Sequence, residues 1–333
     1  MLKRFLQIFF GSLGLFVLVF FIYFFIGQAQ PAEQIVWGVN FSQKHAINLG
    51  LDWRANYLAI LDDLKARHLK IAVAWDMVEP APEQYSFEDL DWQLTTAAER
   101  GAQVFLVIGM KTPRWPECHL PDWAHSLSKE EQQAHILKML EKIVLRYRSS
   151  PTLWAWQVEN ETFFPFGICP WTDEEFLKKE IALVKQLDNS RPVIIADSGE
   201  FSFWLKPAQL ADVVSITMYR QAWFKELNTS IKYPLPPVFY YRKAKIIEKF
   251  FNKKVICGEL QAEPWGPVLL YDLPLAEQRQ IMDLNKFKAY LAYAQQTGLD
   301  TFYLWGAEWW YWLKEKQNDP SFWNEAKKLW SIN

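Results

Sequence analysis

The sequence predicts an α/β fold, a single (β/α)8 TIM barrel preceded by an N-terminal transmembrane helix. From Ile35 onward, short apolar runs alternate with longer amphipathic segments, which is typical of βαβ units and a parallel sheet. Eight such runs can be counted, the number of strands in this barrel. About 300 of the 333 residues follow the N-terminal apolar segment, and this is the size of one barrel.

The first predicted element is the N-terminal helix. Lys3 and Arg4 precede residues 5–26, an apolar stretch without charge, and roughly twenty such residues cross a bilayer as a helix. The basic flank favours a cytoplasmic N-terminus, which leaves the rest of the chain outside the cytoplasm. The alternative is a cleaved signal peptide, which would leave the protein secreted, although its apolar region is normally only about 7–15 residues.

The chain is therefore predicted to have three parts. No repeat, low-complexity run or linker occurs after Glu33, so one catalytic domain is expected. The parts are a transmembrane signal anchor over residues 1–27, a short tether over 28–34 and a (β/α)8 domain over 35–333.

The barrel elements follow in order along the chain. Runs rich in Val, Ile, Phe and Trp predict strands, and turn clusters of Gly, Pro, Asn and Asp separate them from helices. The predicted strands are residues 36–41, 70–75, 103–109, 153–158, 192–196, 213–218, 254–259 and 301–305. The predicted helices are residues 53–67, 90–100, 129–147, 173–187, 207–211, 237–250, 275–297 and 322–330.

Two of the predicted strands end on glutamate. The fourth runs into Asn160-Glu161 and the seventh into Glu259, and such a barrel places its chemistry at the carboxyl ends of its strands. Two carboxyl groups across one mouth can cleave a glycosidic bond, because different surroundings keep one protonated and the other ionised. We expect Glu161 and Glu259 to be the catalytic pair. Glu263 is the weaker alternative to Glu259, and Glu159 is a neighbouring partner or substrate contact.

Aromatic residues make up 17% of the chain, with 18 tryptophans. Core packing accounts for part of them, and the others fall in predicted loops or at strand ends, where flat rings suit the apolar faces of sugars. These are Trp115, Trp123, Trp265, Trp305, Trp309 and Trp310. The loop after the third strand also contains His119, which is a candidate hydrogen-bonding contact to substrate.

The pattern resembles the clan A glycoside hydrolases, retaining TIM-barrel enzymes that include cellulases, mannanases and β-galactosidases. In that clan the acid/base glutamate ends the fourth strand after an asparagine that binds the sugar 2-hydroxyl, and Asn160-Glu161 matches this order. The clan nucleophile ends the seventh strand, as Glu259 does. The resemblance extends over the chain after residue 34, and it implies that Tyr219 orients the nucleophile and that Trp305 forms the floor of the sugar site.

Lys70 departs from the clan pattern. Relatives usually begin the second-strand motif with an arginine that reaches the nucleophile, and Lys70 occupies the aligned position. Lysine supplies a positive charge but not a rigid bidentate fork. The resemblance therefore implies an altered electrostatic partner for Glu259.

Other uses of an α/β fold are disfavoured. A doubly wound dinucleotide-binding sheet requires a glycine-rich turn after its first strand. The sequence after the first predicted strand lacks such a turn. The five histidines include no pair with metal-ligand spacing. The net charge of −2 gives no sign of the basic surface that nucleic acids need. We expect no metal, no organic cofactor and no nucleic-acid partner.

Three cysteines are too few for a disulfide scaffold. Cys118 and Cys169 fall in loops after consecutive predicted strands, and we hypothesise that they meet at the barrel mouth as a disulfide in an oxidising compartment. Cys257 lies within a predicted strand and is expected to be a small buried hydrophobe.

The function predicted from these features is a membrane-anchored, extracytoplasmic, retaining β-glycosidase. The expected substrates are oligosaccharides, polysaccharides or envelope glycans, and the expected membrane contact is the N-terminal helix. A transglycosylase would use the same residues, because only the acceptor of the glycosyl-enzyme differs. A carbohydrate-binding barrel without catalysis is the other alternative, motivated by Lys70, and the presence of both glutamates favours the enzyme.

Overall fold

The computed structural model describes residues 2–331 and contains a closed parallel barrel of eight strands. The described residues form ten strands in all, the eight of the barrel and two of a separate hairpin: β1 (Val36–Phe41), β2 (His68–Ala72), β3 (Gln103–Ile108), β4 (Leu153–Val158), β5 (Val193–Asp197), β6 (Val213–Met218), β7 (Gln221–Phe224), β8 (Thr229–Lys232), β9 (Lys254–Gln261) and β10 (Thr301–Trp305). The barrel order is β1-β10-β9-β6-β5-β4-β3-β2, and β7 and β8 form a separate antiparallel hairpin. Met1, Ile332 and Asn333, at the ends of the predicted anchor and barrel ranges, lie outside the described residues.

Helices occupy the connections between the barrel strands, as the alternation predicts. They are α1 (Leu2–Phe25), α2 (Gln43–Asn48), α3 (Trp53–Asp62), α4 (Trp75–Val78), α5 (Glu88–Glu99), α6 (Lys129–Tyr147), α7 (Glu174–Leu187), α8 (Leu205–Leu210), α9 (Pro237–Phe251), α10 (Leu275–Ile281), α11 (Leu284–Gln295), α12 (Ala307–Lys316) and α13 (Ser321–Lys327). The predicted fold class, a TIM barrel preceded by an apolar helix, is confirmed.

Most strand bounds agree with the prediction, and β1, β4, β6 and β10 agree at both ends. Strand β2 lies earlier than predicted because Trp75 begins α4 instead of ending the strand. Strand β9 continues to Gln261, so Glu259 lies near its end and not at its last position.

The predicted helix over residues 275–297 is two helices, α10 and α11. The break falls at Asp283, whose side chain accepts a hydrogen bond from the backbone N–H of Lys286 at the start of α11. Asp is a favoured N-terminal cap because its oxygen satisfies an unpaired backbone donor. Amphipathic periodicity continued through this cap, which explains why the break was not predicted.

Helix α12 was not predicted from the sequence. Its presence overturns the prediction made for two tryptophans. Trp309 and Trp310 lie in α12 and are fully buried, so the expectation that they offer ring faces to sugars was wrong. Their indole N–H groups donate to Gln278 Oε1 and to the Ala262 carbonyl, and this allows both rings to be buried.

Apolar side chains fill the barrel interior. The central layer consists of Phe105, Val107, Ala155, Ile194, Ile256 and Tyr303. A larger apolar core lies between the strands and the surrounding helices. Because the interior is packed, space for a ligand lies beyond the carboxyl ends of the strands.

Helix α1 has the length and composition of a membrane span. Within the described part of the chain, Lys3–Phe25 is the one helix that meets both criteria, with a mean hydropathy of 2.5. A signal sequence has the same features. Most of α1 is exposed, and Phe24 near its end is buried against Phe239 of α9.

Candidate active site

Strand β4 brings polar residues to the mouth through an unusual backbone. Glu159 and Glu161 have φ angles of 57° and 43°, in the left-handed region that residues with a Cβ seldom adopt. The Glu159 carboxylate accepts hydrogen bonds from the backbone N–H groups of Met110 (2.7 Å) and Lys111 (2.6 Å). Glu159 therefore fastens the loop after β3 to the end of β4.

Glu161 is a buried carboxyl group close to two others. Its Oε1 accepts a hydrogen bond of 3.1 Å from the hydroxyl of Thr217 on β6. Burial, followed by the negative charges of Glu259 and Glu117, raises the pKa of Glu161 well above its usual value. The protonated form of Glu161 is thus favoured.

Glu259 is held by two donors from other strands. Lys70 Nζ lies 2.7 Å from Oε1, and the Tyr219 hydroxyl donates to Oε2 over 2.9 Å. Hydrogen bonds from a cation and a phenol stabilise a carboxylate as the anion. Glu259 therefore has the surroundings of an ionised group, in contrast to Glu161.

Strand β6 connects the two glutamates. Thr217 pairs with Glu259 in the sheet, and its hydroxyl bonds to Glu161. Tyr219 follows two residues later, so its side chain leaves the same face of the strand as that of Thr217. The carboxyl groups of Glu161 and Glu259 consequently converge above the end of β6.

Asn160 is oriented by side chains on both sides. Gln157 Nε2 donates to its Oδ1 (3.0 Å), and its Nδ2 donates to Oε2 of Glu117 (3.2 Å). Glu117 is buried, and burial together with the charge of Glu259 raises the pKa of Glu117 to about 8. Glu117 was not predicted as a site residue from the sequence. Its only signal was its place in the loop that contains Trp115 and His119.

Arg114 covers the ring of Trp305. Its guanidinium carbon lies 3.9 Å from the centroid of that ring, and its nitrogens bond to Glu263 and, at 3.0 Å, to Glu308. All four side chains are buried. Trp305 thus stands at the end of β10 as expected, with one ring face occupied by a guanidinium group.

Aromatic rings from three loops meet over the mouth. Trp265 packs edge-on against Tyr219, with centroids 5.0 Å apart, and lies 5.3 Å from Phe166. Trp115 contacts the same Phe166 at 6.1 Å. Trp115 is exposed and Trp265 is half-buried. The two expected stacking residues are therefore linked through Phe166, and Trp265 packs on the ring of Tyr219.

His119 contacts a different pair of side chains. Lys44 Nζ lies 3.2 Å from His119 Nδ1 and also bonds to Asp76. Burial, followed by the charge of Lys44, lowers the pKa of His119 to about 4. His119 is therefore neutral near pH 7 and interacts through hydrogen bonds. Within residues 2–331, no three His, Cys, Asp or Glu side chains are grouped as metal ligands would be.

The loops after β3 and β4 are joined by a disulfide between Cys118 and Cys169, which confirms the hypothesis from the sequence. The backbone N–H of Ile168 also donates to the Pro116 carbonyl over 2.9 Å. Cys257 is a buried free thiol. The segment that holds Glu117 is thus fixed to the loop beyond Glu161.

A groove of about 400 Å³ begins at Thr162, the residue that follows Glu161. Its aromatic lining consists of Phe163 and Phe164, which follow Thr162, and of Phe201 from the loop after β5. The rings of Phe164 and Phe201 are parallel, with centroids 5.6 Å apart. The polar lining consists of Thr172, Asp173, Glu174, Asp197, Ser198, Ser202 and Lys206. Flat rings among polar groups suit a glycan.

The chain is similar in sequence to one known family. Residues 55–189 match the model of the β-galactosidase family, glycoside hydrolase family 42. This segment contains Asn160-Glu161 and ends before Glu259. Among curated proteins, no sequence matches the chain.

Solved structures with the same fold include several glycoside hydrolases. A family 5, subfamily 18 enzyme from Bifidobacterium longum in complex with Manβ1-4GlcNAc has a TM-score of 0.61 at 12% identity, covering 90% of this chain and 79% of that one. The β-galactosidase from Rahnella sp. R3 has a TM-score of 0.60 at 13% identity, covering 92% and 57%. The endo-1,4-β-D-mannanase from Thermotoga petrophila has a TM-score of 0.53 at 16% identity, covering 81% and 88%.

These enzymes share a TIM barrel and belong to clan A. The identities establish the common fold, and the family match adds sequence similarity over residues 55–189. The resemblance inferred from the strand-end residues is therefore confirmed: the chain is similar in fold to the clan A glycoside hydrolases and, over part of its length, in sequence to their β-galactosidase family.

Proposed function

We propose that the protein is a membrane-anchored retaining β-glycosidase that acts outside the cytoplasm. The observation that carries this proposal is the contrast between two buried carboxyl groups at one barrel mouth. Burial and neighbouring charges favour protonated Glu161, whereas Lys70 and Tyr219 donate hydrogen bonds to Glu259. A retaining glycosidase needs one carboxylic acid and one carboxylate in this relationship.

Glu161 is the general acid and Glu259 the nucleophile. In the first step a Glu259 oxygen forms a bond to the anomeric carbon, the bond to the leaving oxygen breaks, and Glu161 transfers its proton to that oxygen. In the second step Glu161 takes a proton from water, and the water oxygen displaces Glu259. We expect the two carboxyl groups to lie about 5–5.5 Å apart and the anomeric configuration to be retained.

Lys70 and Tyr219 prepare the nucleophile. Lys70 supplies a buried positive charge, and Tyr219 supplies a neutral donor, since burial raises the pKa of its phenol well above the usual value. Their two hydrogen bonds fix the orientation of the Glu259 carboxylate. A fixed orientation matters because one carboxylate oxygen must face the anomeric carbon for the attack.

The surroundings of Glu263 favour Glu259 as the nucleophile. Glu263 is paired with Arg114, which also binds Glu308. Glu263 receives no hydrogen bond from Lys70 or Tyr219 among the described contacts. Its position suits a structural ion pair beneath Trp305 better than attack on a sugar.

Substrate contacts are assigned to residues around the pair. Asn160 binds the sugar 2-hydroxyl, Trp305, Trp265 and Trp115 stack against sugar rings, and His119 donates or accepts one hydrogen bond. The similar structures are a β-galactosidase, an endo-1,4-β-D-mannanase and an enzyme that binds Manβ1-4GlcNAc. β-Galactosides and β-mannosides are therefore the first substrates to test.

The location outside the cytoplasm has two supports. Lys3–Phe25 is long and apolar enough to span a bilayer, with Lys3 and Arg4 on the side expected to stay in the cytoplasm. The Cys118–Cys169 disulfide persists in an oxidising compartment. Full-length protein with a C-terminal tag should fractionate with membranes, and externally added protease should remove the tag. A tag found only in the soluble secreted fraction would show a cleaved signal peptide.

The catalytic assignment is tested with azide. Glu259→Gly should abolish turnover of an aryl β-glycoside, and azide should then give a glycosyl azide of inverted configuration, because it enters where the nucleophile stood. Glu161→Ala should instead accumulate the glycosyl-enzyme, since an aryl leaving group scarcely needs the proton. Azide should release from it a product of retained configuration.

Glu263→Gly is the matched control, as the same substitution in the same segment. It should give no inverted azide product. Inverted rescue in Glu263→Gly with near-normal activity in Glu259→Gly would transfer the nucleophile to Glu263. Carboxyl groups more than about 6.5 Å apart, with inverted products in the wild type, would contradict retention.

A further inference from the structure

The apolar N-terminal helix meets the barrel at the mouth end. Phe20 and Phe24 of α1 lie 6.1 and 6.0 Å from the ring of Phe203, and Phe25 lies 5.6 Å from that of Phe239. Phe203 belongs to the loop after β5, and Phe239 to the first turn of α9. Both positions lie at the carboxyl ends of the barrel strands, where Glu161 and Glu259 are.

The tether runs from this end to the opposite one. Gln30 reaches the turn before β10, where a Cβ on Gly298 would lie 2.7 Å from the Gln30 carbonyl oxygen. The backbone N–H of Val36 then donates to Asp300 at the start of β10. The tether therefore runs along the outside of the barrel towards the amino-terminal ends of the strands. Helix α1 is attached at the opposite end, where the candidate active site lies.

The length of α1 determines how deeply its contact with Phe203 lies in the bilayer. The 23 residues of Lys3–Phe25 extend over about 35 Å at a rise of 1.5 Å each, only slightly more than the roughly 30 Å hydrocarbon core. The last turn of α1 therefore coincides with the outer boundary of the bilayer. Phe20 lies about 7.5 Å deeper, five residues before Phe25, so Phe203, whose ring is 6.1 Å from that of Phe20, is placed in the surface layer of the membrane, among the lipid headgroups or directly beneath them.

The loop around Phe203 has the composition of a membrane interface. Phe201, Phe203 and Leu205 are 56%, 50% and 46% exposed, and they alternate along one short segment. On the neighbouring helix, Arg242 donates to the Tyr23 carbonyl and lies 4.6 Å from the Tyr23 ring. Exposed aromatic and basic side chains are typical of the boundary between lipid and water.

The groove that begins at Thr162 opens at this same surface. Phe201 lines this groove and is two residues from Phe203. Because Glu161 protonates the leaving oxygen, the groove that begins at Thr162 receives the leaving-group side of the substrate. The leaving group is therefore the part of the substrate that faces the lipid.

We propose that residues 201–205 lie in the outer headgroup layer and that the substrate is a glycolipid, a glycan whose leaving-group side is attached to a membrane lipid. This inference rests on the proposed anchor and on the proposed glycosidase activity. A groove at the membrane surface admits a headgroup sugar without extraction of the lipid into water.

The membrane contact is tested with the full-length protein in phosphatidylcholine vesicles. Leu205→Cys adds an accessible thiol, because Cys118 and Cys169 are joined and Cys257 is buried. An environment-sensitive fluorophore at this position should be quenched by lipids with a spin label near the headgroup. Phe250→Cys is the matched control, since Phe250 is 70% exposed at the far end of α9, and its fluorophore should not be quenched.

The substrate class is tested in the same vesicles with β-galactosyl and β-mannosyl diacylglycerol, and with the aryl glycosides of the same sugars. Phe203→Asp and Leu205→Asp should lower kcat/KM for the glycolipid by at least about tenfold, because a charge replaces an apolar contact with lipid. Their activity on the soluble aryl glycosides should be unchanged. Phe250→Asp should change neither activity.

The outcomes separate this inference from the proposed function. Absence of quenching at position 205 in protein that remains in vesicles would overturn the membrane contact but not the anchor. Cleavage of aryl glycosides without cleavage of either glycolipid would overturn the substrate class but not the glycosidase. Failure to cleave any glycoside, with quenching at position 205, would overturn the proposed catalysis and the substrate class together, and would leave the membrane contact in place.

Discussion

The ammonium group of Lys70 lies 2.7 Å from a carboxylate oxygen of Glu259, and the two side chains are 1% and 3% exposed. Strands β2 and β9 are not neighbours, because β1 and β10 lie between them. The ion pair therefore crosses the floor of the mouth. A buried charge is tolerated only when it is paired. Lys70 and Glu259 therefore each compensate the cost of burying the other's charge.

Removal of the Lys70 charge should impair both catalysis and folding. Lys70→Met leaves the Glu259 carboxylate without its cation, and we expect kcat/KM for an aryl glycoside to fall by about 10²-fold or more. Stability should fall by roughly 3–5 kcal/mol, measured by urea unfolding. Lys70→Arg keeps the positive charge beside Glu259 and should retain more activity than Lys70→Met. Wild-type kinetics in Lys70→Met would contradict a role for the pair.

Loss of the Tyr219 hydroxyl should reduce the rate without disturbing the fold. Tyr219→Phe removes the hydrogen bond to Glu259 and keeps the ring that packs against Trp265. A hydrogen bond to a charged group is worth about 1.5–3 kcal/mol, which corresponds to a loss of roughly 10–10²-fold in kcat/KM.

Tyr240→Phe is the control for this variant. It removes a similar hydrogen bond, 2.7 Å long, that the Tyr240 hydroxyl donates to the half-buried Glu200, outside the proposed pair. We expect it to affect the melting temperature more than the rate. Equal kinetic losses in both tyrosine variants would argue against orientation of the nucleophile by Tyr219.

Glu117 should influence the pH dependence of activity. Its negative charge contributes to the raised pKa of Glu161, so Glu117→Gln should move the alkaline limb of the kcat/KM profile to lower pH. The amide oxygen of glutamine can still accept the hydrogen bond from Asn160, which preserves the local geometry. An unchanged alkaline limb would show that Glu117 does not act on the general acid.

The same variant should change the pH dependence of stability. The pKa of Glu117 is raised from its usual range to about 8 in the folded state, so its contribution to stability is present below about pH 4.5 and is lost as pH rises through about 8. Glu117→Gln should therefore lose less stability between pH 5 and pH 9 than the wild type, as thermal unfolding at both values can measure.

The disulfide should stabilise the fold and the mouth together. Cys118 and Cys169 are 51 residues apart, and closing a loop of that length is worth roughly 2–4 kcal/mol. A reducing agent should lower the melting temperature of the wild type and leave that of the double variant Cys118→Ser/Cys169→Ser unchanged. If the reducing agent lowers both equally, its effect comes from another site.

The sequence by itself determined the barrel and the positions of the two candidate catalytic glutamates at its mouth. Apolar runs ending at Glu161 and Glu259 required only local information, because a buried parallel strand is recognisable from its composition and its carboxyl end lies at the mouth by the topology of the fold. Asn160, Tyr219, Trp305 and Lys70 were identified through the resemblance to the clan A enzymes, from their positions in or next to predicted strands.

Tertiary structure decided which side chains meet, and the sequence contained no measure of those distances. Glu117 lies in an irregular loop whose path depends on the disulfide and on contacts with the β4 loop, so its hydrogen bond with Asn160 could not be predicted. Arg114 lies in the same loop, and its stacking on Trp305 is accompanied by ion pairs with Glu263 and Glu308, which come from distant segments of the chain.

The helix after β10 and the N-terminal helix also make contacts that could not be predicted from the sequence. Trp309 and Trp310 appear as candidate sugar contacts in the sequence, and only the packing of α12 shows that their rings are buried. Residues 5–26 are recognisable as a possible membrane span from composition, but the docking of Phe20 and Phe24 on Phe203 joins segments about 180 residues apart in sequence. Non-local contacts of this kind depend on the complementary shapes of folded surfaces, which hydrophobic periodicity does not encode.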